Sequence, residues 1–497
     1  MQLFWLFALL AGVINYGRLD DYLGPYLVAD LKSGRLTDEE AYRYIHSLWT
    51  MIENRRTTVN GRIIVGGKGR KHPKEADVFL HIAMKVAKNC RYVEPQFTLR
   101  FDKDTSEEIW DEALDALGAG ATYPTLYNDD VNVPAVMYGM RVDEKAAEQY
   151  VPFGCTEFVI QGQSTGTPNI CINLLKLLTI YMNDGIDPID GKRKSGPVPL
   201  KKLEEYQTFE EFYDGYKALL DYYLDLSVKA QYHSYEVMNQ HVSFLFSSLL
   251  TDDCIARGKA LLDGGVRYLG GTNETYGNIN TSDSLWVIRD LVFNQKKYTL
   301  RQLNDAMLAN FNGYEALRKD CLNCDKYGND LETADTMAND LYEFVAKGVR
   351  NRGIAIGMQY FLIVISNNQL NTEWGNRTAA SPDGRLSCMY MNPANNPQGG
   401  ANKSGPTAML NSLAKFDAKY HGGSVQNIKF SPSMFNENRA VIKSLFKTYF
   451  AKGGCHLMVT VVDKGVLEDA VEHPENYPDL IVRLSGFSAV FVDLSPN

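Results

Sequence analysis

Ile481-Val-Arg-Leu-Ser-Gly486-Phe-Ser-Ala-Val-Phe491 is the stretch that decides the fold of this 497-residue chain. Two short runs rich in β-branched and aromatic residues, Asp479 to Leu484 and Phe487 to Asp493, flank Ser485-Gly486. That pattern predicts strand, tight turn, strand. His456 to Asp463 reads as a further strand just upstream.

Working outward, most of the chain is helical in pattern. Thr37/Glu40, Thr105/Glu108, Thr208/Glu211 and Thr299/Gln302 each place a capping threonine three residues ahead of Glu or Gln, before an apolar periodic run. Thr167 as cap, Pro168 at the first position and Gly185 past the end frame another helix, with Leu174, Leu175, Leu177, Leu178 and Tyr181 as its apolar face. Between Asn371 and Gly423 turn residues are so dense that the segment reads as loop. No repeat, linker or clear domain boundary stands out, and one continuous α/β unit is expected.

Composition bounds the function. Hydrophobic residues at 45%, charged at 22% and aromatic at 11% exclude a disordered or collagenous chain. With 51 basic against 60 acidic residues, the net charge is −9, which argues against a nucleic-acid or anionic-membrane surface. The eight cysteines, Cys90, Cys155, Cys171, Cys254, Cys321, Cys324, Cys388 and Cys455, have no framework spacing and point to a reducing, cytoplasmic setting. Cys321-Leu-Asn-Cys324, without a second pair or a nearby His, reads as two ordinary thiols before a zinc site. The apolar run Leu3 to Val13 has no basic lead, no small-residue exit and too little length for a bilayer, so it reads as a buried helix.

Three segments invite a chemical reading. In Val151-Pro-Phe-Gly-Cys155-Thr-Glu157-Phe-Val, Pro and Gly argue for an extended or turning loop, and where the backbone is extended the Cys155 thiol and the Glu157 carboxylate face one space, a nucleophile or hydrogen-atom site beside a proton acceptor. From the local sequence alone, a buried structural cysteine beside a surface glutamate is the better-supported reading. The eight histidines show neither H-x-x-x-H nor H-E-x-x-H spacing, which disfavours a zinc hydrolase, and His233 and His241 fall in a helix. Gly66-Gly-Lys-Gly-Arg70 lacks the spacing of a phosphate loop and reads as a tight turn whose Arg70 pairs with an acid such as Asp77.

The segment around Gly486 resembles the radical motif of the pyruvate formate-lyase-like glycyl radical enzymes. Arg377 to Arg385 (RTAASPDGR), Ser404 to Ala408 (SGPTA), Asp283-Ser-Leu285, Lys326 to Asp330 (KYGND) and Asn15 to Asp20 (NYGRLD) are similar to further segments of that family, in order along the whole chain. The resemblance implies a ten-stranded α/β barrel of two half-barrels, surrounded by helices. It also implies a stored radical on Gly486, a thiyl radical on Cys155 and a base at Glu157. A radical on the Gly486 Cα is shared between its flanking amides with no side chain to crowd the planar centre. Residues 1–470 would form the barrel body and 471–497 the radical segment of the same unit.

Further implications follow from the same resemblance. The chain would bind no cofactor or metal of its own, its radical being installed anaerobically by a separate radical-SAM activating enzyme with S-adenosylmethionine and an iron–sulfur cluster. A small-molecule substrate and a homodimer are implied, with no nucleic acid and no membrane. Cys155 lies between Gly154 and Thr156, without the second adjacent cysteine of a formate acetyltransferase, and the loop is similar to the Gly-Cys-x-Glu form of the dehydratases and eliminases. Base-assisted elimination of water, amine or sulfite is the leading expectation. Arylacetate-type decarboxylation is a second, a formate acetyltransferase-like lyase a third, and a relic that keeps the fold without the chemistry is a fourth. The family's long N-terminal portion has no counterpart ahead of Asn15, so the chain reads as incomplete at its N-terminus. Thr156 replaces the usual Val, Phe487 a Tyr and Leu484 a Val, while Gln161, Gln163 and Ser164 read as loop-capping residues first and as substrate contacts second.

Overall fold

A computed structural model describes residues 13–55, 59–166, 169–242, 244–365, 370–484 and 486–494. The chain packs as two compact units: residues 1–161 together with 425–497, and residues 162–424. No helix among the described residues is long and apolar enough to cross a membrane.

The first unit is laid down as strand, helices, strand. β1 (Val13–Arg18), β2 (Val59–Gly66), β3 (Gln96–Phe101) and β4 (Thr125–Asn128) run parallel and in order. Helices Leu19–Lys32, Asp38–Asn54, Pro73–Asn89 and Glu107–Gly118 make the returns between them, as parallel pairing requires. Strand period decides what each face carries. Phe97, Leu99 and Phe101 of β3 share one face. The ring of Phe97 lies 5.7 Å from Trp49 in the second of these helices, and that of Phe101 lies 4.7 Å from Trp110 in the fourth. Gln96, Thr98 and Arg100 take the opposite face, and all six residues are buried. Register extends this polar face: Arg62 stands beside Gln96, Thr125 beside Thr98, Tyr127 beside Arg100. A hairpin of β5 (Tyr150–Phe153) and β6 (Glu157–Ile160) packs on the same face, where Val151 and Val159 cluster with Ile64.

The second unit holds a four-stranded parallel sheet of β7 (Ile170–Asn173), β8 (Gly270–Tyr276), β9 (Tyr360–Ile365) and β10 (His421–Ser424), in the order β10-β9-β8-β7. The chain then returns to the first unit. β11 (Asn427–Phe430) and β12 (His456–Val461) complete a six-stranded sheet, β12 pairing antiparallel with β4 and parallel with β11. β13 (Ile481–Arg483) and β14 (Ser488–Val490) form an antiparallel hairpin. The strand, turn, strand reading of the Gly486 segment is therefore what the chain adopts.

Local expectations fare unevenly. Thr37 and Thr299 form full capping boxes and Thr208 caps its helix. At the Thr105 site Ser106 is the cap instead, because its side chain reaches Ile109 N–H while Thr105 is turned to Asp102. The helix expected from Thr167 and Pro168 begins only at Leu174. Ile170 to Asn173 pairs with β8 as a strand, and Asn173 supplies the cap. Thr167 and Pro168 themselves, and Leu3 to Gly12 of the expected N-terminal helix, lie outside the described residues. Val13 opens β1. Within the expected 371–423 loop, Gly405–Leu413 is a helix, its proline near the first position where a missing N–H costs nothing.

One buried acid gives the fold a pH signature. Burial pushes the Asp283 carboxyl up to about 7, against a weaker opposing pull from Lys326, and its Oδ1 accepts from Tyr327 N–H at 2.9 Å. The native state thus holds a proton that the unfolded chain releases near pH 4, so stability falls as pH rises from about 4 to 7 and is level above. Asp283→Asn, which keeps an oxygen for Tyr327, is expected to flatten that fall, worth up to about 4 kcal/mol, in denaturant titrations at pH 5 and 8. An unchanged slope would remove Asp283 as its source.

Candidate functional site

The site grows from the Gly154-Cys155-Thr156 turn. Phe153 pairs with Glu157, so three residues close the hairpin, and Gly154 adopts φ +54°, a left-handed conformation suited to glycine. Of the extended or turning loop expected here the chain adopts the turn, and the thiol stands at it. The Glu157 carboxylate folds back over that turn, its Oε2 accepting from Thr156 N–H at 2.9 Å. A Cβ on Gly154 would lie only 2.8 Å from the same oxygen. Cys155 and Glu157 are both buried.

Two buried arginines on the sheet, Arg62 and Arg100, hold this hairpin through carbonyl groups, and a third, Arg18, holds the segment that leads into it. Arg62 donates Nε to Gly154 O at 3.1 Å, Nη2 to Cys155 O at 2.7 Å and Nη1 to Thr98 at 3.0 Å. Arg100 donates to Tyr150 O at 2.7 Å and is neutralised by Asp129 at 2.8 Å. Arg18 bridges Gly66 O and Glu148 O. Asn15 adds a bond to Pro152 O at 2.7 Å. Burying a guanidinium is costly unless its donors are paired; those of Arg62 fix the backbone on either side of Cys155, while Arg18 Nε has no partner among the described residues.

Gly486 comes to the same place from the other end of the chain. It is buried, and a Cβ built on it would fall 2.3 Å from Cys155 Cβ and 2.7 Å from Cys155 Sγ. One C–C bond separates that position from the Gly486 Cα, which bounds the Cα–Sγ distance at about 4.2 Å. Gln96 donates Nε2 to Gly486 O at 3.1 Å while its Oε1 accepts from Arg483 at 3.1 Å. Arg483 also donates to Ser488 at 3.2 Å and to Tyr123 at 3.3 Å. Burial pushes the Tyr123 phenol up to about 12, so it remains a hydroxyl that donates to Val93 O at 2.7 Å.

Of the residues expected to act, Gly486, Cys155 and Glu157 therefore meet in one unit. Arg62, Gln96 and Arg100 were missed. The available signal was the alternation of polar Gln96, Thr98 and Arg100 with apolar Phe97, Leu99 and Phe101, and a single Arg62 ahead of Ile-Ile-Val; an inward polar face of this kind looks like a solvated one.

The other candidates resolve more simply. Arg70 pairs with Asp77 at 2.6 Å and Lys68 with Asp130 at 2.7 Å, so the Gly66 to Arg70 turn has its cations engaged. Burial pushes the Cys321 thiol up to about 12 and Cys324 to about 11, which keeps the lone CxxC protonated. Gln161 fills the space that Gly17 leaves and accepts from Tyr22 at 2.8 Å. Among the described residues one trio, His81, Glu108 and Glu112, brings metal-ligand atoms within 4.8 Å of one another, and His81 Nδ1 is already 2.8 Å from Glu112.

The chain matches the family described as pyruvate formate lyase-like over residues 1–370 and the one described as glycine radical over residues 391–492. It is 28% identical over 496 residues to trans-4-hydroxy-L-proline dehydratase of Clostridioides difficile, covering 96% of this chain and 62% of that protein. With (2S)-3-sulfopropanediol dehydratase of Klebsiella oxytoca it shares 27% over 507 residues, covering 97% and 61%. The glycerol-bound B12-independent glycerol dehydratase from Clostridium butyricum superimposes with a TM-score of 0.87 at 28% identity, over 97% of this chain and 62% of that one. The chain thus spans less than two thirds of the length of these relatives.

Because the Gly486 position has no room for a methyl group, Gly486→Ala is expected to cost about 1–3 kcal/mol. Cys155→Gly should recover part of it, giving a coupling above about 0.5 kcal/mol in a double-mutant cycle by chemical denaturation. Strict additivity would deny the contact.

Proposed function

This chain belongs to the pyruvate formate lyase-like family, and from that membership we propose that it is a glycyl radical enzyme catalysing radical elimination on a small hydroxylated substrate. The observation that carries the reading is the contact between Gly486 and Cys155, a side-chain-free carbon against a buried sulfur 331 positions earlier.

In this reading an unpaired electron is stored on the Gly486 Cα. Cys155 gives its S–H hydrogen to that carbon, and the resulting thiyl radical takes a hydrogen atom from the substrate carbon bearing a hydroxyl. Glu157 accepts the hydroxyl proton. The neighbouring C–O bond then breaks with its electron pair, and the departing hydroxide takes a proton to become water. Cys155 returns a hydrogen atom to the carbon left behind, and the thiyl radical retrieves one from Gly486. For a 1,2-diol the balance is one aldehyde and one water. Leaving groups other than hydroxide follow the same course.

Several features support these roles. Arg62 holds the carbonyls on both sides of the thiol, which keeps Cys155 against Gly486 without altering the sulfur. Gln96 and Arg483 hold the radical turn. The flanking residues Gly154 and Thr156 offer no second thiol for an acyl relay. Dehydratases recur among the relatives. Installation of the radical by a separate radical-SAM activase, a homodimeric state and an anaerobic cytoplasmic setting are parts of the same proposal.

Anaerobic treatment of the full chain with its activase should produce a glycyl doublet in electron paramagnetic resonance, absent from Gly486→Ala. Cys155→Ser is expected to keep the doublet and lose all turnover, and Glu157→Gln to keep the doublet while kcat drops about 10²- to 10⁴-fold. A doublet that persists in Gly486→Ala would place the radical elsewhere.

A further inference from the structure

The backbone ladder of the β13–β14 hairpin stops short of Gly486. Arg483 pairs with Ser488, and Leu484 N–H donates to Phe487 O at 3.2 Å. The Gly486 carbonyl lies beyond that last bond, at the tip, and Gly486 is buried. A carbonyl in that position has to find its hydrogen outside the ladder. Gln96, with 0% exposure on β3, supplies it from Nε2 at 3.1 Å.

The Gln96 amide is itself under load. Its Oε1 accepts from Arg483 Nη2 at 3.1 Å, and Arg483 is held in place by Ser488 at 3.2 Å and Tyr123 at 3.3 Å. A guanidinium charge on the amide oxygen draws electron density toward it and leaves the Nε2 hydrogens more positive, so the second bond of the chain is strengthened by the first. Arg483 stands three residues before Gly486. One hairpin thus provides both the charge and the carbonyl, and the sheet provides the amide that joins them.

That arrangement has an electronic consequence. An unpaired electron on a Cα between an amide nitrogen and a carbonyl moves density from the nitrogen toward the carbonyl oxygen, which is then more negative than in the closed-shell peptide. A hydrogen bond to that oxygen is stronger in the radical than in the parent glycine, and it draws spin off the carbon. We propose that Gln96, polarised by Arg483, is a positioning residue that stabilises the stored radical through the Gly486 carbonyl. The step it weights is the exchange in which the Cys155 S–H bond breaks, the Gly486 Cα–H bond forms and the unpaired electron passes from carbon to sulfur. One hydrogen atom moves, and no further oxidant or reductant is needed. This inference rests on the radical reading above and adds a determinant of where the electron resides.

The test uses the full chain as Gln96→Glu and Gln96→Met, activated anaerobically. The first keeps an acceptor for Arg483 and removes the donor to Gly486. The second keeps the length of the side chain and removes both bonds. The splitting of the glycyl doublet reports the spin on the Gly486 carbon, and both variants are expected to show a wider doublet than the wild type. In D2O the Cys155 thiol carries deuterium, so the doublet collapses as that deuterium is delivered to Gly486. With the radical less stable relative to the thiyl, collapse should quicken roughly threefold to tenfold. A role confined to holding the turn would slow the collapse instead, because a loosened Gly486 moves off the sulfur. Slower collapse, a doublet of wild-type width, or a doublet missing from both variants while the wild type shows one would each overturn the inference. A wild type without a doublet would bring down the radical reading itself.

Discussion

The closeness of the Gly486 backbone to the Cys155 thiol is the constraint to which the first unit is built. A carbon that is to exchange a hydrogen atom with a sulfur needs that sulfur within van der Waals reach and no side chain between them. Gly486 meets both conditions, and even a methyl group would overlap Cys155. Such a contact joins two tight turns from distant parts of the chain. Turns have little rigidity of their own, so the precision has to come from what lies behind them.

What lies behind them is a parallel sheet buried on both faces. One face spends its residues on packing, with Phe97, Leu99 and Phe101 set against the aromatic rings of the covering helices. The other spends them on holding backbone. Arg62 and Arg100 donate to carbonyls of the Cys155 hairpin, and Gln96 joins Arg483 to the Gly486 carbonyl. Carbonyl oxygens fill guanidinium donors without bringing a titrating partner next to the thiol. Where a carboxylate is used, at Arg100 with Asp129, it sits toward the base of the hairpin rather than its tip.

Local pattern alone was enough for the β13–β14 turn at Gly486, for the capping boxes at Thr37 and Thr299, and for the pairing of Arg70 with Asp77, because each depends on neighbours a few residues away. Sequence resemblance likewise singled out Gly486, Cys155 and Glu157 as a set. Local pattern left the Cys155 segment open between extended and turning, since a three-residue hairpin and an extended strand draw on the same residues and differ in a pairing, Phe153 with Glu157, that only the folded sheet supports. Nor did the sequence distinguish Arg62, Gln96 and Tyr127 from solvated residues on strands of alternating pattern. Their burial is decided by what covers the second face of the sheet, a hairpin that begins about 90 residues after Arg62 and a turn 390 residues after Gln96, and long-range closure of that kind leaves no mark in a local window.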